Sequence, residues 1–319
     1  MLAKAMSVLP KVRDTPSAVS RKNCTLIRPL VIACCSSRKA MPATVGVETL
    51  PTGELRDVVS AWLDSVDGAM PTATAATMYR GRSFRYAKQA AMMLDAEIDI
   101  LSAGLGYVRG EAMIPSYDLA AGRGPGGVAP RISKFKPEKW WAAVNRGRFA
   151  AERLPEIESR PVVMIALTRD YARMVRPMLE QLAAHADRIR IFGAGLASYL
   201  PRPLHCCFMP YDEGMDLKGT KGDFAGRALL THARLLTEAD SYDLASEREA
   251  VAAMMTCSPR SNAPSRKTVS DDVIVQQMTP WLREEPKISN ARILRRLRDL
   301  SGIACSEERA RRIMMGLME

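Results

Sequence analysis

The chain has 319 residues, 47% of them hydrophobic and 25% charged, which is ordinary globular chemistry with ample length for a core. Its formal net charge is +11, an excess that attracts polyanions, nucleic acid above all; scattered charge on a soluble protein is the alternative. No apolar run reaches the ~20 residues that span a bilayer, and residues 1–25 lack the sustained apolar stretch of a secretory signal, so a cytoplasmic protein with no membrane partner is expected.

Residues 1–27 read as a flexible basic N-terminus. The body, 28–255, reads as α/β, a largely parallel sheet flanked by helices. The buried-type run 30–35 predicts a strand ending in Ser36, Ser37, Arg38 and Lys39. Gly53-Glu54 opens a helix to about Val66, and Ser83 caps another that runs to Leu94. Between them Arg80 and Arg82 flank Gly81, as phosphate contacts or as a solvated loop; Tyr79 and Phe84 read as core anchors. A short strand at 98–101 breaks into Ser102, Ala103, Gly104 and Gly106, then closes on Pro115-Ser116-Tyr117-Asp118. Strands ending in small residues leave backbone N–H groups at the carboxyl edge of a sheet, where open α/β sheets bind ligands. A tight turn that needs glycine for its backbone is the other reading. The carboxyl ends of these two strands are expected side by side, with Asp118 facing the pocket between them.

The order Cys-Ser-x-x-Lys, Tyr-x-Gly-x-x-Phe, Ile-Leu-Ser-Ala-x-x-Gly-x-Val and Pro-x-Tyr-Asp, over roughly residues 29–120, resembles a group of nucleic-acid-linked families. These are the YaaA-like peroxide-stress DNA-binding proteins, the core domain of archaeosine synthase and a set of bacterial proteins with the same motif order. The pattern departs at Leu105, where the relatives carry an aromatic residue, and at Ser116, inserted between Pro115 and Tyr117. The resemblance implies a body that binds a nucleotide or nucleobase and base-modifying or glycosidic chemistry.

Gly122 to Gly127 cannot hold a regular element and reads as a mobile loop or lid; Trp140-Trp141 at a helix start reads as packing. The apolar run 162–167, a helix over 170–184 capped by Thr168, and a strand over 188–192 predict a βαβ unit, followed by a strand over 204–209. His205 and Cys207 would share a face of that strand without enough company for a metal. Seven cysteines in an odd count, none in C-x-x-C spacing, argue against disulfides and zinc, and neither metal nor cofactor is expected. Residues 218–223 precede a helix starting at Asp223, a plausible anion loop in which Asp223 is either a cap or an acid/base group and Arg227 an anion contact. Tyr117-Asp118 and Tyr211-Asp212 are similar closures, which suggests two related halves at 28–133 and 160–240.

Residues 256–270 read as a linker and 271–319 as three short helices resembling a helix-turn-helix module, with Pro280 interrupting the first, Leu300 among the buried residues of the second and Gly302 in a tight turn. Arg292, Arg295, Arg296, Arg309 and Arg312 are the candidate nucleic-acid contacts, Arg309 and Arg312 sharing the face that would enter a groove. A basic docking or dimerisation module is the alternative. Two functions remain: a nucleobase- or nucleotide-modifying enzyme anchored on nucleic acid, DNA more than RNA, or a non-catalytic DNA-binding protein of stress response or mobile-element maintenance. In the enzyme, Asp118 and Asp223 would be the acid/base groups; Ser36, Lys39, Arg80, Ser102, Gly104, Gly106, Tyr117 and Arg227 would hold the ligand.

Overall fold

A computed structural model describes residues 27–318 apart from 125, 213–218, 240, 258–265 and 287; the basic segment 1–26 and Lys218 lie outside the described residues. The chain forms two compact units, Met1–Ser258 and Pro259–Glu319, each with its own hydrophobic core. No helix among the described residues is long and apolar enough to cross a membrane.

In the first unit the strands are β1 (Leu30–Cys34), β2 (Val45–Gly46), β3 (Ala73–Thr74), β4 (Glu97–Ser102), β5 (Gly106–Val108), β6 (Met113–Ile114), β7 (Tyr117–Asp118), β8 (Val163–Ala166) and β9 (Ile189–Phe192). The helices are α1 (Leu55–Asp67), α2 (Ala75–Met78), α3 (Arg82–Met93), α4 (Pro137–Val144), α5 (Arg169–Met174), α6 (Arg176–Leu182), α7 (Phe224–Thr237) and α8 (Leu244–Cys257). Five strands form one sheet in the order β5-β4-β1-β8-β9. Leu30, Val31, Ile32 and Ala33 are all buried because β1 is the central strand with both faces covered.

The sheet is mixed, not largely parallel. Neighbours β4-β1, β1-β8 and β8-β9 pair in parallel, but β5 runs antiparallel to β4, with Ile100 opposite Val108. The turn 103–105 is too short for a crossover, so the chain can only return beside β4 as a hairpin. The two segments read as related halves contribute to this single sheet. The chain steps from β1 to β4 on one side and later places β8 on the other, so β1 is a topological switch point.

Several local expectations change. Residues 204–209 are not a strand: Arg202–Leu204 is a 3₁₀ turn, and only Phe208 bridges to Ile191, because the run keeps turning, Cys207 N–H donating to Leu204 O at 3.1 Å and Phe208 N–H to His205 O at 3.3 Å. His205 instead lies close to the Leu200 carbonyl, 3.2 Å from its Nε2. The helix expected over 170–184 breaks between α5 and α6 at Val175, where Pro177 cannot donate back to the preceding turn. The cap of α3 is Gly81, not Ser83, and α7 begins after Asp223. The expected loop is tied back on itself: Ala120 bridges Gly127, Ala120 N–H donates to Gly126 O at 2.8 Å and Gly127 N–H to Gly124 O at 2.9 Å.

The second unit holds α9 (Asp271–Glu284), α10 (Asn290–Asp299) and α11 (Glu307–Met318). Ile274, Met278, Ile293, Leu297, Ile303, Ala310 and Ile313 close its core. Helix α9 runs unbroken through Pro280. Leu300, expected inside, is 75% exposed, because α10 ends at Asp299 and the chain turns away through Gly302 at φ +62°. The connector to α11 spans residues 300–306, longer than a tight three- to four-residue turn.

Candidate functional site

The loop that leaves β1 at the switch point carries the chemistry. Cys34 Sγ lies 3.3 Å from the Ala166 carbonyl of β8, and Cys35 Sγ lies 2.9 Å from the hydroxyl of Tyr171 on α5. Cys35 N–H also donates to Leu101 O at 2.9 Å, so the carboxyl ends of β1 and β4 do stand side by side. Ser36 then pins the loop: its Oγ donates to Arg38 O at 2.8 Å and accepts Gly81 N–H at 3.0 Å. A Cβ on Gly81 would come within 2.5 Å of Ser36 Cβ, which is why glycine starts α3 here. Ser36 is therefore a positioning group and not an open ligand contact.

Lys39 follows, and its bridge to Tyr79 aligns it beside the α2–α3 turn. Its Nζ stands 4.3 Å over the ring of Tyr117 and makes one long hydrogen bond, to Ser36 O at 3.4 Å. Burial pulls its pKa below the ordinary lysine value, while Cys35 and Asp118 work in the opposite direction. Under it the hydroxyls of Tyr79 and Tyr117 meet at 2.9 Å, and Ser102 Oγ lies 2.7 Å from Tyr117 OH. Burial, then the potential of Cys35, raises both phenols, so they serve as neutral donors and acceptors.

The opposite wall is held by the pairing of β2 with β7, which sets Gly46 against Asp118, and by Ser116, whose Oγ donates to Met41 O at 2.8 Å. The result is a cleft of about 400 Å³ lined by Ser37, Arg38, Lys39, Met41, Ala43, Tyr117 and Asp118. Asp118 is exposed at its rim and no helix cap. A donor, Lys39, and an acceptor, Asp118, thus line one small polar space at the carboxyl edge of the sheet.

Other candidates fall elsewhere. Ser102, Gly104 and Gly106 are buried, and the expected nest of free N–H groups is closed inward: Gly104 and Leu105 N–H reach Ser102 Oγ at 3.3 and 2.8 Å. The carbonyls of Ala103 and Gly104 accept the indole N–H groups of Trp140 and Trp62, each at 2.7 Å. A Cβ at Gly104 would touch Trp62 and Tyr117 at 2.9 Å, so the glycine serves packing. Asp223 is a cap. It accepts Thr220 N–H at 2.9 Å, pairs with Arg227 at 2.6 Å, and faces Arg82 at 3.1 Å. Burial alone would raise its carboxyl, but the Arg227 bond, the Thr220 amide and both guanidinium charges hold it below the usual range. Arg227 also donates to Thr220 O at 2.9 Å, so Asp223 and Arg227 form an internal clamp instead of acid/base and anion groups. Arg80 is exposed, its N–H bonded to Arg38 O at 2.9 Å. Sequence reasoning missed Tyr171 and Arg38; the first was signalled by its place in the helix after β8, at the same sheet edge.

In the second unit four of the five candidate arginines pair with carboxylates of the same unit, at a largely exposed surface. Arg309 and Arg312, expected to face a groove, grip Asp271 on α9 at 2.5 and 2.8 Å, and Arg309 also donates to Val269 O at 2.8 Å. Arg292 and Arg296 hold Glu285 at 2.6 and 3.5 Å. Arg295 alone of the five is exposed without an ion pair among the described residues. Arg309 and Arg312 on α11 thus reach the first turn of α9 as a surface clasp, with Arg312 still 69% exposed. Asp271, bonded by Arg309 and flanked by Arg312, is held below the ordinary aspartate value. Its contribution is present above the unfolded aspartate pKa and is lost as pH falls through the lowered folded one. Asp271→Asn is expected to lower the melting temperature of this unit and remove that acid dependence, read from the fluorescence of Trp281, its one tryptophan.

The chain matches no protein-family model, and no match is found among the curated proteins or the solved structures.

Proposed function

We propose that the first unit binds a nucleotide or nucleobase in the cleft of Lys39 and Asp118, and that the protein acts on nucleic acid as a nucleobase-modifying or glycosidic enzyme. The observation that carries this reading is Lys39 itself. An ammonium has three donors, and this one is half-buried with, among the described residues, a single long hydrogen bond, at 3.4 Å. A desolvated, under-bonded cation at the switch point of an α/β sheet favours a ligand acceptor. Asp118 beside it supplies the acceptor that a base edge needs and a bare phosphate would be repelled by. In the reaction Asp118 is the acid/base group, Lys39 the polarising donor, and Tyr117 the wall beneath.

A non-catalytic reading, a DNA-binding protein that senses a nucleotide, is favoured by one observation: among the described residues Asp118 is the only carboxylate lining the cleft. The helix-turn-helix assignment of α9, α10 and α11 belongs to both readings, with Arg292, Arg295, Arg296, Arg309 and Arg312 as its candidate contacts.

The test is native mass spectrometry of purified protein against a panel of nucleobases and mononucleotides, with Asp118→Asn as partner variant. Asp118→Asn keeps the shape and removes the charge. The expected outcome is a ligand bound by the wild type whose affinity or turnover changes in the variant. Identical behaviour of the two toward every ligand would remove Asp118 from the site.

A further inference from the structure

Many arginines of the first unit pair with a carboxylate and others, such as Arg85 and Arg123, have no such partner among the described residues; what sets Arg38 and Arg80 apart is where they stand. Arg28, Arg82, Arg109, Arg160, Arg176, Arg190 and Arg227 each pair with a carboxylate. Arg38 and Arg80 have no ion-pair partner among the described residues and are exposed. They are also neighbours by construction. Lys39 bridges Tyr79 in antiparallel fashion, Ala40 N–H donates to Met78 O at 2.7 Å, and Arg80 N–H donates to Arg38 O at 2.9 Å. That register sets Arg38 directly opposite Arg80. Like charges directly opposite each other are destabilising, and the loop that holds them is rigidly fixed by Ser36 and Gly81. Arg38 is at the same time part of the cleft lining, next to Lys39.

From this we infer that a single-stranded nucleic acid runs past the cleft, its backbone phosphates held by Arg38 and Arg80, so that one unpaired nucleotide is presented to Lys39 and Asp118. The inference rests on the base-binding reading of the cleft and adds the form in which the base arrives. Two unpaired guanidinium groups side by side suit successive phosphates, and their mutual repulsion is relieved when an anion lies between them. The cleft, about 400 Å³, has room for one base and its sugar but not for a base pair. A base inside a duplex keeps its hydrogen-bonding edge in the stack and would have to be flipped out first. The second unit, whose arginines mostly hold its own carboxylates, is then a minor contributor to phosphate binding.

The experiment is fluorescence anisotropy of full-length protein with a labelled mixed-sequence deoxyoligonucleotide, and with its duplex, over a salt series. The variants are R38Q/R80Q and, as a charge-matched control in the helical unit at two exposed arginines outside the candidate contacts, R283Q/R311Q. All four arginines are exposed, so the fold should be kept, which thermal unfolding verifies. The single strand is expected to bind more tightly than the duplex. In R38Q/R80Q the slope of log affinity against log salt should fall by about 1.4, two contacts at ~0.7 each for a single strand, while the control keeps the wild-type slope. An unchanged slope in R38Q/R80Q, or a loss found only in the control, overturns the inference. A duplex bound as tightly as the single strand with the same dependence on Arg38 and Arg80 overturns its single-strand part. Mononucleotide binding separates the two readings. If wild type and R38Q/R80Q bind a mononucleotide equally, both stand. If neither binds one while the salt slope still falls, the phosphate track stands and the base-binding reading fails.

Discussion

Glu247→Gln is expected to destabilise the first unit by about 3–5 kcal/mol, the cost of leaving a buried charge without its partner. Arg190 lies in the middle of β9, wholly buried, and reaches Glu247 on α8 with two parallel bonds, Nε to Oε2 at 2.5 Å and Nη2 to Oε1 at 2.8 Å. Its Nη1 donates to Asp187 O at 2.6 Å. His232 Nε2 lies 2.9 Å from Glu247 Oε2, which leaves Nδ1 to accept the Tyr211 hydroxyl at 3.3 Å. Glutamine keeps the volume but cannot neutralise Arg190. Helix α8 has one buried apolar side chain, Val251, so this network is a principal attachment beside Arg248 at the Cys206 carbonyl, and its amides should exchange faster in the variant. Replacing both partners, Arg190→Met with Glu247→Leu, should recover most of the loss, because two apolar groups leave nothing unpaired. Urea unfolding followed by tryptophan fluorescence in a Trp281→Phe background reports the first unit alone. A single variant as stable as wild type would show that water reaches Arg190. The acid limb is signed as well. Burial raises the Glu247 carboxyl, but Arg190 and His232 outweigh it and hold it below the ordinary value. Its contribution is therefore present above the unfolded glutamate pKa, about 4.3, and is lost as pH falls through the lowered folded value. The Gln variant should lack that limb.

This network also shows where sequence reading stops. Arg190 stood in plain view inside Ile-Arg-Ile-Phe, and a charge in a buried strand demands a buried partner, but nothing local says that the partner is Glu247, 57 residues on. Elements set by apolar periodicity were legible: β1, β4, β8 and β9, and the adjacency of the first two, follow from runs that can be buried only in a covered sheet. What depended on a single backbone group was not. Gly104 and Gly106 look alike in sequence whether their N–H groups face a ligand or an internal serine, and here Ser102 Oγ lies beneath them. Asp223 could be assigned neither way until Arg82, from a different helix, was seen to face it. Arg309 and Arg312 share a helix face as their spacing requires, but spacing cannot tell a face turned to a groove from one turned to Asp271. Lys39 was legible as a candidate in the basic loop after a strand and Asp118 at a turn after a Tyr, yet the pair became a site only when β2 and β7 paired.

Lys39→Met is expected to weaken binding of the cleft ligand by about 10- to 150-fold, the loss of one hydrogen bond from a charged donor at ~1.5–3 kcal/mol, without lowering the melting temperature. Methionine keeps the length and the packing on the Tyr117 ring and removes only the ammonium. Stability should hold or rise, because the half-buried ammonium is partly desolvated by the protein around it. Lys39→Arg keeps the charge but brings a planar fork where a compact ammonium sits, so it should restore binding only in part. The pH profile identifies the group. Burial lowers the Lys39 pKa, so the ammonium loses its proton, and the ligand its donor, as pH rises through a value below the ordinary lysine range near ~10.4. Affinity should fall there, and the fall should be absent in the Met variant. Asp118 raises the same pKa, so Asp118→Asn should move the fall to lower pH. Isothermal titration at several pH values measures all three. A profile that keeps its alkaline fall in Lys39→Met would assign the titration to a group other than Lys39.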